Sequence, residues 1–171
     1  AAGFGCSDVD LLSYLPIKDI GGGRGVNLND IWGWTDPQTG REYALVGRTN
    51  GTSFVDVTDA AHPVFVGDLP MTPGARAASW RDIKVYKDHA FIVADLSGQH
   101  GMQVFDLTRL RAPGRMPAAF TADTTYTRIA SAHNIAINEA TGYAYTIGNS
   151  AGGETCGGAL HMINIQDPEH P

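Results

Sequence analysis

A repeat with a period of 52 residues is the feature that most restricts how this chain can fold. Three hexamers, each a polar pair followed by isoleucine and alternating apolar residues, begin at Asn29, Arg81 and His133. Their sequences are NDIWGW, RDIKVY and HNIAIN. A second alternating segment follows each hexamer after a short turn, and a third follows after a polar loop that contains glycine. The repeat therefore predicts one structural unit that is used three times.

Each unit has the pattern of an antiparallel meander of strands. Alternation of apolar and polar residues is typical of strands that are buried on one face. The second strands are predicted at YALVGR, AFIVAD and AYTIGN, the third at SFVDVT, QVFDLT and HMINIQ, and a fourth at PVFVGDL. The helix-like segment lies near residues 10–20, where Pro16 limits it to one or two turns. The predicted fold class is therefore all-β.

Four-stranded units at this spacing are typical of β-propeller blades, which bury both sheet faces by stacking radially around a channel. We therefore predict propeller blades over residues 26–171, preceded by an N-terminal arm over residues 1–25. About four to eight blades close a propeller, so three are too few. We expect them to belong to a larger propeller of about six to eight blades, with its C-terminal blades and anchor absent here. A three-bladed stack completed by another chain is the alternative.

Charge and composition exclude some classes of partner. The net charge is −6, and no cluster of Lys or Arg offers the basic patch that nucleic-acid binding needs. No apolar run is long enough to cross a bilayer, and we expect that a signal peptide is absent or already removed. Cys6 and Cys156 match no zinc-site spacing, so they form either a disulfide or two free thiols.

Polar residues that can bind ligands concentrate at one end of the predicted blades. In an antiparallel meander, the start of the first strand and the loop between the second and third strands lie at the same end. We expect this end to carry three polar pairs and three loop residues: Asn29–Asp30, Arg81–Asp82, His133–Asn134, Asn50, His100 and Cys156. The opposite end carries ordinary turn residues. A functional site is therefore predicted at the first of these ends.

The residues Asp30, Asp82 and Asn134 occupy the same place in successive units, so their oxygen atoms should converge near the channel axis. Such donors suit Ca²⁺ or Mg²⁺, whereas His100 and His133 suit a transition metal. The alternative is structural, because a carboxylate at the start of a first strand can accept backbone N–H groups and hold neighbouring blades together. The sequence leaves both interpretations open.

Four further residues have roles that concern an organic ligand. Arg81 can offer its guanidinium fork to a carboxylate or a sulfate, or it can form an ion pair with Asp82. His133 can act as a general base, with His100 as an alternative, or either can be a hydrogen-bonded structural residue. Trp80 can stack on a sugar ring or pack between blades. No nucleophile elbow, phosphate loop or zinc-protease motif is present.

Several segments also resemble known bacterial proteins. YALVGRTNGTSFVDVTDAAHPVFVGDL is similar to the LVIVD repeat. The segments DIWGWTDPQTGREYALVGRTNGTSFVDVTD, WRDIKVYKDHAFIVAD, GQHGMQVFDLTRLR and SAHNIAINEATGYAYTIG resemble the choice-of-anchor B family. The resemblance implies a secreted or surface-anchored β-propeller whose anchor lies in a C-terminal region. It implies no particular activity, since a fold does not specify a function.

These observations favour an extracellular, cell-surface or periplasmic module that binds a protein or glycan partner, with or without Ca²⁺ at the channel mouth. The missing catalytic motifs make a non-enzymatic role the first hypothesis. The second is a lyase or hydrolase that acts on an anionic polysaccharide, in which Arg81 binds the anion and His133 or His100 moves the proton. The third is a structural subunit of a larger surface or periplasmic complex.

Overall fold

The computed structural model of the chain describes residues 7–150 and 159–171. Within these residues the chain forms twelve β-strands and two short 3₁₀ helices, and it contains no α-helix. The predicted all-β class is therefore confirmed. Neither 3₁₀ helix in the described part of the chain has the length or the apolar character needed to span a membrane.

Sheet 1 contains the first unit of the repeat. Its first four strands form an antiparallel meander in chain order: β1 (Leu28–Thr35), β2 (Glu42–Arg48), β3 (Gly51–Asp56) and β4 (Val64–Pro70). A two-residue strand, β8 (Ala118–Ala119), pairs in parallel with β4. Gly67 permits this close approach, because a Cβ atom there would lie 2.2 Å from the carbonyl oxygen of Ala118.

Sheets 2 and 3 contain the second and third units. Sheet 2 is antiparallel, in the order β5 (Arg81–Tyr86), β6 (His89–Ala94), β7 (Met102–Asp106) and β9 (Thr124–Tyr126). Sheet 3 is also antiparallel, in the order β10 (Asn134–Asn138), β11 (Tyr143–Ile147) and β12 (His161–Asn164). All ten strands that the alternation predicts are present, with ends shifted by at most two residues. The alternation does not predict β8 or β9.

Sheet 2 lies between sheets 1 and 3 and is buried on both faces. Ile92 and Phe105 enter an apolar core shared with sheet 1, where the ring centroids of Phe105 and Phe54 are 4.7 Å apart. Phe91 and Val104 point the other way, into a second core shared with sheet 3. Burial of each such side chain contributes about 1.5–3 kcal/mol, so the two cores hold the three sheets in a stack.

The first strands of the sheets are neighbours within this stack. β5 contacts β1 on one side and β10 on the other. The turns that follow the third strands of sheets 1 and 3 also repeat one contact, between a histidine Nδ1 and an aspartate Oδ2. This distance is 2.9 Å for His62 and Asp59 and 3.0 Å for His170 and Asp167. These histidines therefore belong to the structure of the repeat.

The segment before β1 packs on the face of sheet 1 that is turned away from sheet 2. Its helix-like part forms one turn of 3₁₀ helix, Ile17–Ile20, directly after Pro16. The Ser53 hydroxyl donates a 2.6 Å hydrogen bond to the carbonyl oxygen of Ile20. The Ser13 hydroxyl donates a 2.7 Å hydrogen bond to the carbonyl oxygen of Ala60. This segment therefore covers part of an outer face of the stack.

A bidentate ion pair joins sheet 1 to sheet 2 at the end opposite the predicted site. The second 3₁₀ helix, Leu107–Arg111, carries Arg111, whose Nε and Nη2 donate to the two carboxylate oxygens of Asp36 at 2.9 and 2.7 Å. Thr39 Oγ1 and the backbone N–H of Gln38 also donate to this carboxylate. The hydrogen bond from Arg111 is the main reason that the pKa of Asp36 lies well below its ordinary value.

We expect Asp36→Asn to lower the melting temperature at pH 7 by a few degrees and to flatten its acid dependence. A carboxyl group whose pKa is lowered on folding stabilises the protein above its unfolded pKa of about 4, and the contribution is lost as the pH falls further. The melting temperatures of wild type and variant should therefore converge below about pH 4. Thermal unfolding followed by circular dichroism between pH 7 and pH 2 measures this. A difference that stays constant across that range would contradict it.

Candidate functional site

The strand register brings the starts of the three first strands to one end of the stack, which we call the rim. In sheet 1 Leu28 is paired with Arg48, in sheet 2 Arg81 with Ala94, and in sheet 3 Asn134 with Ile147. Each pair joins the start of a first strand to the end of a second strand. The rim therefore holds the polar pairs of the repeat together with the loops between second and third strands. Of the loop residues expected here, Cys156 lies outside the described residues, as does Cys6, so their pairing stays a prediction.

Two aspartates at the rim connect neighbouring sheets by the same hydrogen bond. Asp30 Oδ2 accepts the backbone N–H of Ile83 at 2.8 Å, and Asp82 Oδ2 accepts that of Ile135 at 2.8 Å. Each bond joins residues 53 positions apart, so the contact follows the repeat. Asn134 Nδ2 adds a 3.2 Å bond to Asp82 Oδ2. This arrangement is the structural role that the sequence left open for these aspartates.

The second oxygen of Asp82 is also occupied, because Oδ1 accepts a hydrogen bond from Lys84 Nζ. Asp82 therefore forms its ion pair with Lys84, whereas the sequence suggested Arg81 as its partner. Within the described residues, no group of three or more His, Cys, Asp or Glu side chains is arranged to hold a metal ion. A divalent cation on Asp30, Asp82 and Asn134 stays a prediction.

Arg81 and His100 form a buried pair between sheets 1 and 2. Their exposed fractions are 3% and 0%. Arg81 Nη1 lies 2.8 Å from His100 Nε2, and His100 Nδ1 lies 3.0 Å from the carbonyl oxygen of Gly101. A guanidinium can only donate, so Nε2 accepts and the proton of the neutral imidazole sits on Nδ1. Burial and the charge of Arg81 lower the pKa of His100 to about 4. His100 is therefore neutral at pH 7.

Arg81 keeps its charge although it is buried. Burial, and after it the nearby charge of Arg48, lower the pKa of Arg81 to about 10, which is still above neutral pH. Its Nε donates to the carbonyl oxygen of Arg48 at 2.5 Å, while Nη2 has no hydrogen-bond partner among the described residues. Four other arginines form ion pairs with an aspartate: Arg41, Arg48, Arg109 and Arg111. Arg81 forms none with the carboxylates of the described residues.

His133 occupies the place in sheet 3 that Arg81 has in sheet 2, and it is accessible. Its side chain is 53% exposed, and Nδ1 lies 2.8 Å from Asp95 Oδ2. A carboxylate in this position orients the imidazole and leaves Nε2 for a ligand or a proton transfer. The sequence does not single out Asp95, because the two residues are 38 positions apart and meet only when sheets 2 and 3 stack. His100 and His133 have different partners and do not form a joint metal site.

Aromatic and apolar surface lies beside this pair. Trp80 is 49% exposed and its carbonyl oxygen accepts the backbone N–H of Asp95 at 3.0 Å. Trp80 is therefore a surface residue and does not fill a gap between sheets. The loop after β6 contributes to an open groove of about 610 Å³, whose lining is Arg76, Ala77, Leu96, Gly98 and Ser150.

No family model, curated protein or solved structure matches this chain. The chemical interpretation of the rim therefore rests on its own geometry. That geometry separates the predicted site residues into three groups: aspartates that connect sheets, a buried Arg81–His100 pair, and the exposed residues His133 and Trp80.

Proposed function

We propose that this chain forms part of an extracellular β-propeller with LVIVD repeats, similar to the choice-of-anchor B family, and that it binds a glycan at the rim without catalysis. The repeated contact between sheets supports the propeller. Asp30 binds Ile83 of the next sheet as Asp82 binds Ile135, so one set of contacts can add sheet after sheet. Stacks extended in this way close into a ring at about four to eight sheets.

The two outer faces of the stack support the same proposal. Ile31, Ile83 and Ile135 are equivalent in the repeat and face the preceding sheet. Ile83 and Ile135 are 0% and 2% exposed, whereas Ile31 on sheet 1 is 62% exposed. On sheet 3, Met162 is exposed at a position whose counterparts Phe54 and Val104 are buried. Both faces therefore have the composition of surfaces that a further sheet covers.

The burial of Arg81 and His100 is the observation that favours binding over catalysis. A lyase or hydrolase would need Arg81 to meet the anionic group of a polysaccharide, and the guanidinium is enclosed between sheets 1 and 2. His100 is enclosed with it and has no proton to give at neutral pH from Nε2. The enzyme hypothesis then depends on His133 with Asp95, and the enclosed Arg81 cannot bind the anion for them.

The exposed part of the rim suits a carbohydrate. A sugar presents an apolar ring face and a circle of hydroxyl groups. The half-exposed indole of Trp80 offers a flat apolar surface, and His133 with Asp95 offers donors and acceptors near it. The adjoining groove gives room for further sugar units. The proposed extracellular location rests on the family resemblance.

The test is a panel of surface and extracellular glycans, including anionic polysaccharides, screened for binding to the purified chain. We expect Trp80→Ala to weaken binding of any retained glycan about tenfold, which corresponds to about 1.4 kcal/mol. Tyr14→Ala is the matched control, since Tyr14 is an exposed aromatic residue in the segment before β1. It should leave the affinity unchanged. Isothermal titration calorimetry gives both values.

Two results would contradict the proposal. If the chain cleaves a glycan and His133→Ala abolishes the cleavage, the protein is an enzyme that uses the His133–Asp95 pair. If no glycan binds, or if Trp80→Ala and Tyr14→Ala bind equally well, the rim does not recognise carbohydrate through Trp80.

A further inference from the structure

A layer of polar side chains closes the rim end of the core between sheets 1 and 2. Its members are Thr52 of β3, Arg81 of β5, Gln103 of β7 and His100 of the loop before β7. The strand residues face this interface, because each lies two positions from a residue of the shared core: Phe54, Ile83 and Phe105. All four polar residues are at least 97% buried. We call them the polar layer.

The polar layer contains hydrogen-bonding atoms without partners. Arg81 Nη2 and Thr52 Oγ1 are buried and have no partner among the described residues. Gln103 Nε2 donates to the carbonyl oxygen of Pro70 at 2.9 Å, while its Oε1 has no partner there. Buried polar groups in folded proteins are almost always satisfied, and an exception points to a bound water or ion.

The charge of the polar layer decides whether the missing partner is a water molecule or an ion. Arg81 is positively charged, His100 is neutral, and Thr52 and Gln103 carry no charge. Arg48, the other cation whose charge acts on Arg81, already forms an ion pair with Asp68 at 2.6 Å. Among the described residues, the interface therefore encloses one positive charge without a counterion, and burial of an unpaired charge is strongly unfavourable. Water can complete hydrogen bonds here, but it cannot neutralise the guanidinium.

We propose that the polar layer holds one small inorganic anion of the size of chloride, bound by Arg81 Nη2 with the hydroxyl of Thr52 as a second donor. Both atoms are donors, as an anion requires. Gln103 Oε1 is an acceptor and takes no part in holding the anion. The enclosure of all four side chains excludes larger anions such as a sulfated sugar. This ion connects β3 of sheet 1 to β5 of sheet 2 and is separate from glycan binding at the rim.

The experiment is thermal unfolding of the purified chain at pH 7 and constant ionic strength, with chloride replacing gluconate, which is too large for the site. An anion that binds only the folded state raises the melting temperature by about 5 °C or more at about 100 times its Kd. We expect this saturable rise in the wild type. In Arg81→Met the rise should disappear. The matched control is Arg109→Met, which removes a partly buried arginine that is paired with Asp123 outside the polar layer and should keep the full response.

Two further measurements keep the proposal testable if Arg81→Met does not fold. Thr52→Val preserves the shape of the side chain and removes the second donor, so it should shift the chloride midpoint about tenfold higher, equivalent to one hydrogen bond. Crystals of the wild type grown in bromide should show an anomalous peak beside Arg81. The proposal is overturned if the wild type gives no chloride response, if all variants respond equally, or if the bromide peak is missing.

Discussion

Asp82→Ala is expected to lower the free energy of unfolding by about 3 kcal/mol. The substitution removes a buried carboxylate that accepts the backbone N–H of Ile135, the side-chain amide of Asn134 and the ammonium group of Lys84. Hydrogen bonds to a charged group contribute about 1.5–3 kcal/mol, and the backbone N–H of Ile135, left buried without an acceptor, adds a desolvation cost. Denaturant unfolding at pH 7 gives the total change.

The loss should also be localised. In stacked repeat proteins the stability is roughly a sum of terms within units and between neighbouring units. Asp82 connects sheet 2 to sheet 3, so amide hydrogen exchange in Asp82→Ala should accelerate most in β10, β11 and β12. Exchange in sheet 1 should change little. An unchanged free energy of unfolding, or equal acceleration in all three sheets, would show that Asp82 does not connect the sheets in this way.

Asp82→Asn separates the structural role from the predicted cation. Its amide oxygen can still accept the N–H of Ile135, so this variant should keep most of the stability that Asp82→Ala loses. A chelator provides the second comparison. If it lowers the melting temperature of the wild type but not of Asp82→Asn, a cation on Asp30, Asp82 and Asn134 adds to the contact between sheets. If it affects neither, the cation prediction is wrong.

His100 is expected to make the protein roughly 3 kcal/mol less stable at pH 4 than at pH 6.5 and above. In the unfolded chain the imidazole binds a proton below its ordinary pKa of about 6.5. In the folded protein, burial beside Arg81 keeps it neutral until the pH falls to about 4. Between about pH 6.5 and pH 4 the unfolded state therefore binds more protons than the folded state, and stability decreases as the pH falls through this range. Denaturant unfolding at half-unit steps measures the slope.

His100→Gln should remove most of this dependence. Glutamine can still accept the hydrogen bond from Arg81 through its amide oxygen, and it does not titrate. His62→Gln is the comparison, because it removes an exposed turn histidine and should leave the contribution of His100 intact. NMR titration of the His100 ring provides a direct check. A His100 resonance that titrates near pH 6.5, or a slope that persists in His100→Gln, would contradict this assignment.

The strands were predictable because their physics is local. Alternating burial has a period of two residues, and a stack of sheets repeats that pattern in every unit. This is why all ten strands with the alternation were found within two residues of their ends. β8 and β9 have two and three residues, too few to show a period. They form because sheet 1 has a free edge at β4 and sheet 2 has one at β7.

The position of the rim could be predicted from the sequence, but the contacts of its residues could not. The repeat put Arg81 and His133 at equivalent positions, and the register brings both to the same end of their sheets. Their neighbours differ, because the loops between second and third strands vary most from one unit to the next. The loop of sheet 2 brings His100 against Arg81, whereas Asp95 of that loop reaches across to His133. Equivalent positions therefore acquire different environments.

The sequence alone determined the strand pattern, the all-β class and the end of the strands at which polar residues collect, since these depend on periodicity along one chain. Only the tertiary structure decided which of those residues are buried, which are open to solvent, and which carry a charge that no described residue neutralises. The reason is that exposure and pKa depend on atoms from neighbouring sheets, tens of residues away in sequence. Arg81 shows this most clearly: its place in the repeat suggested an anion clamp or an ion pair with Asp82, and stacking of sheets 1 and 2 made it an interior cation.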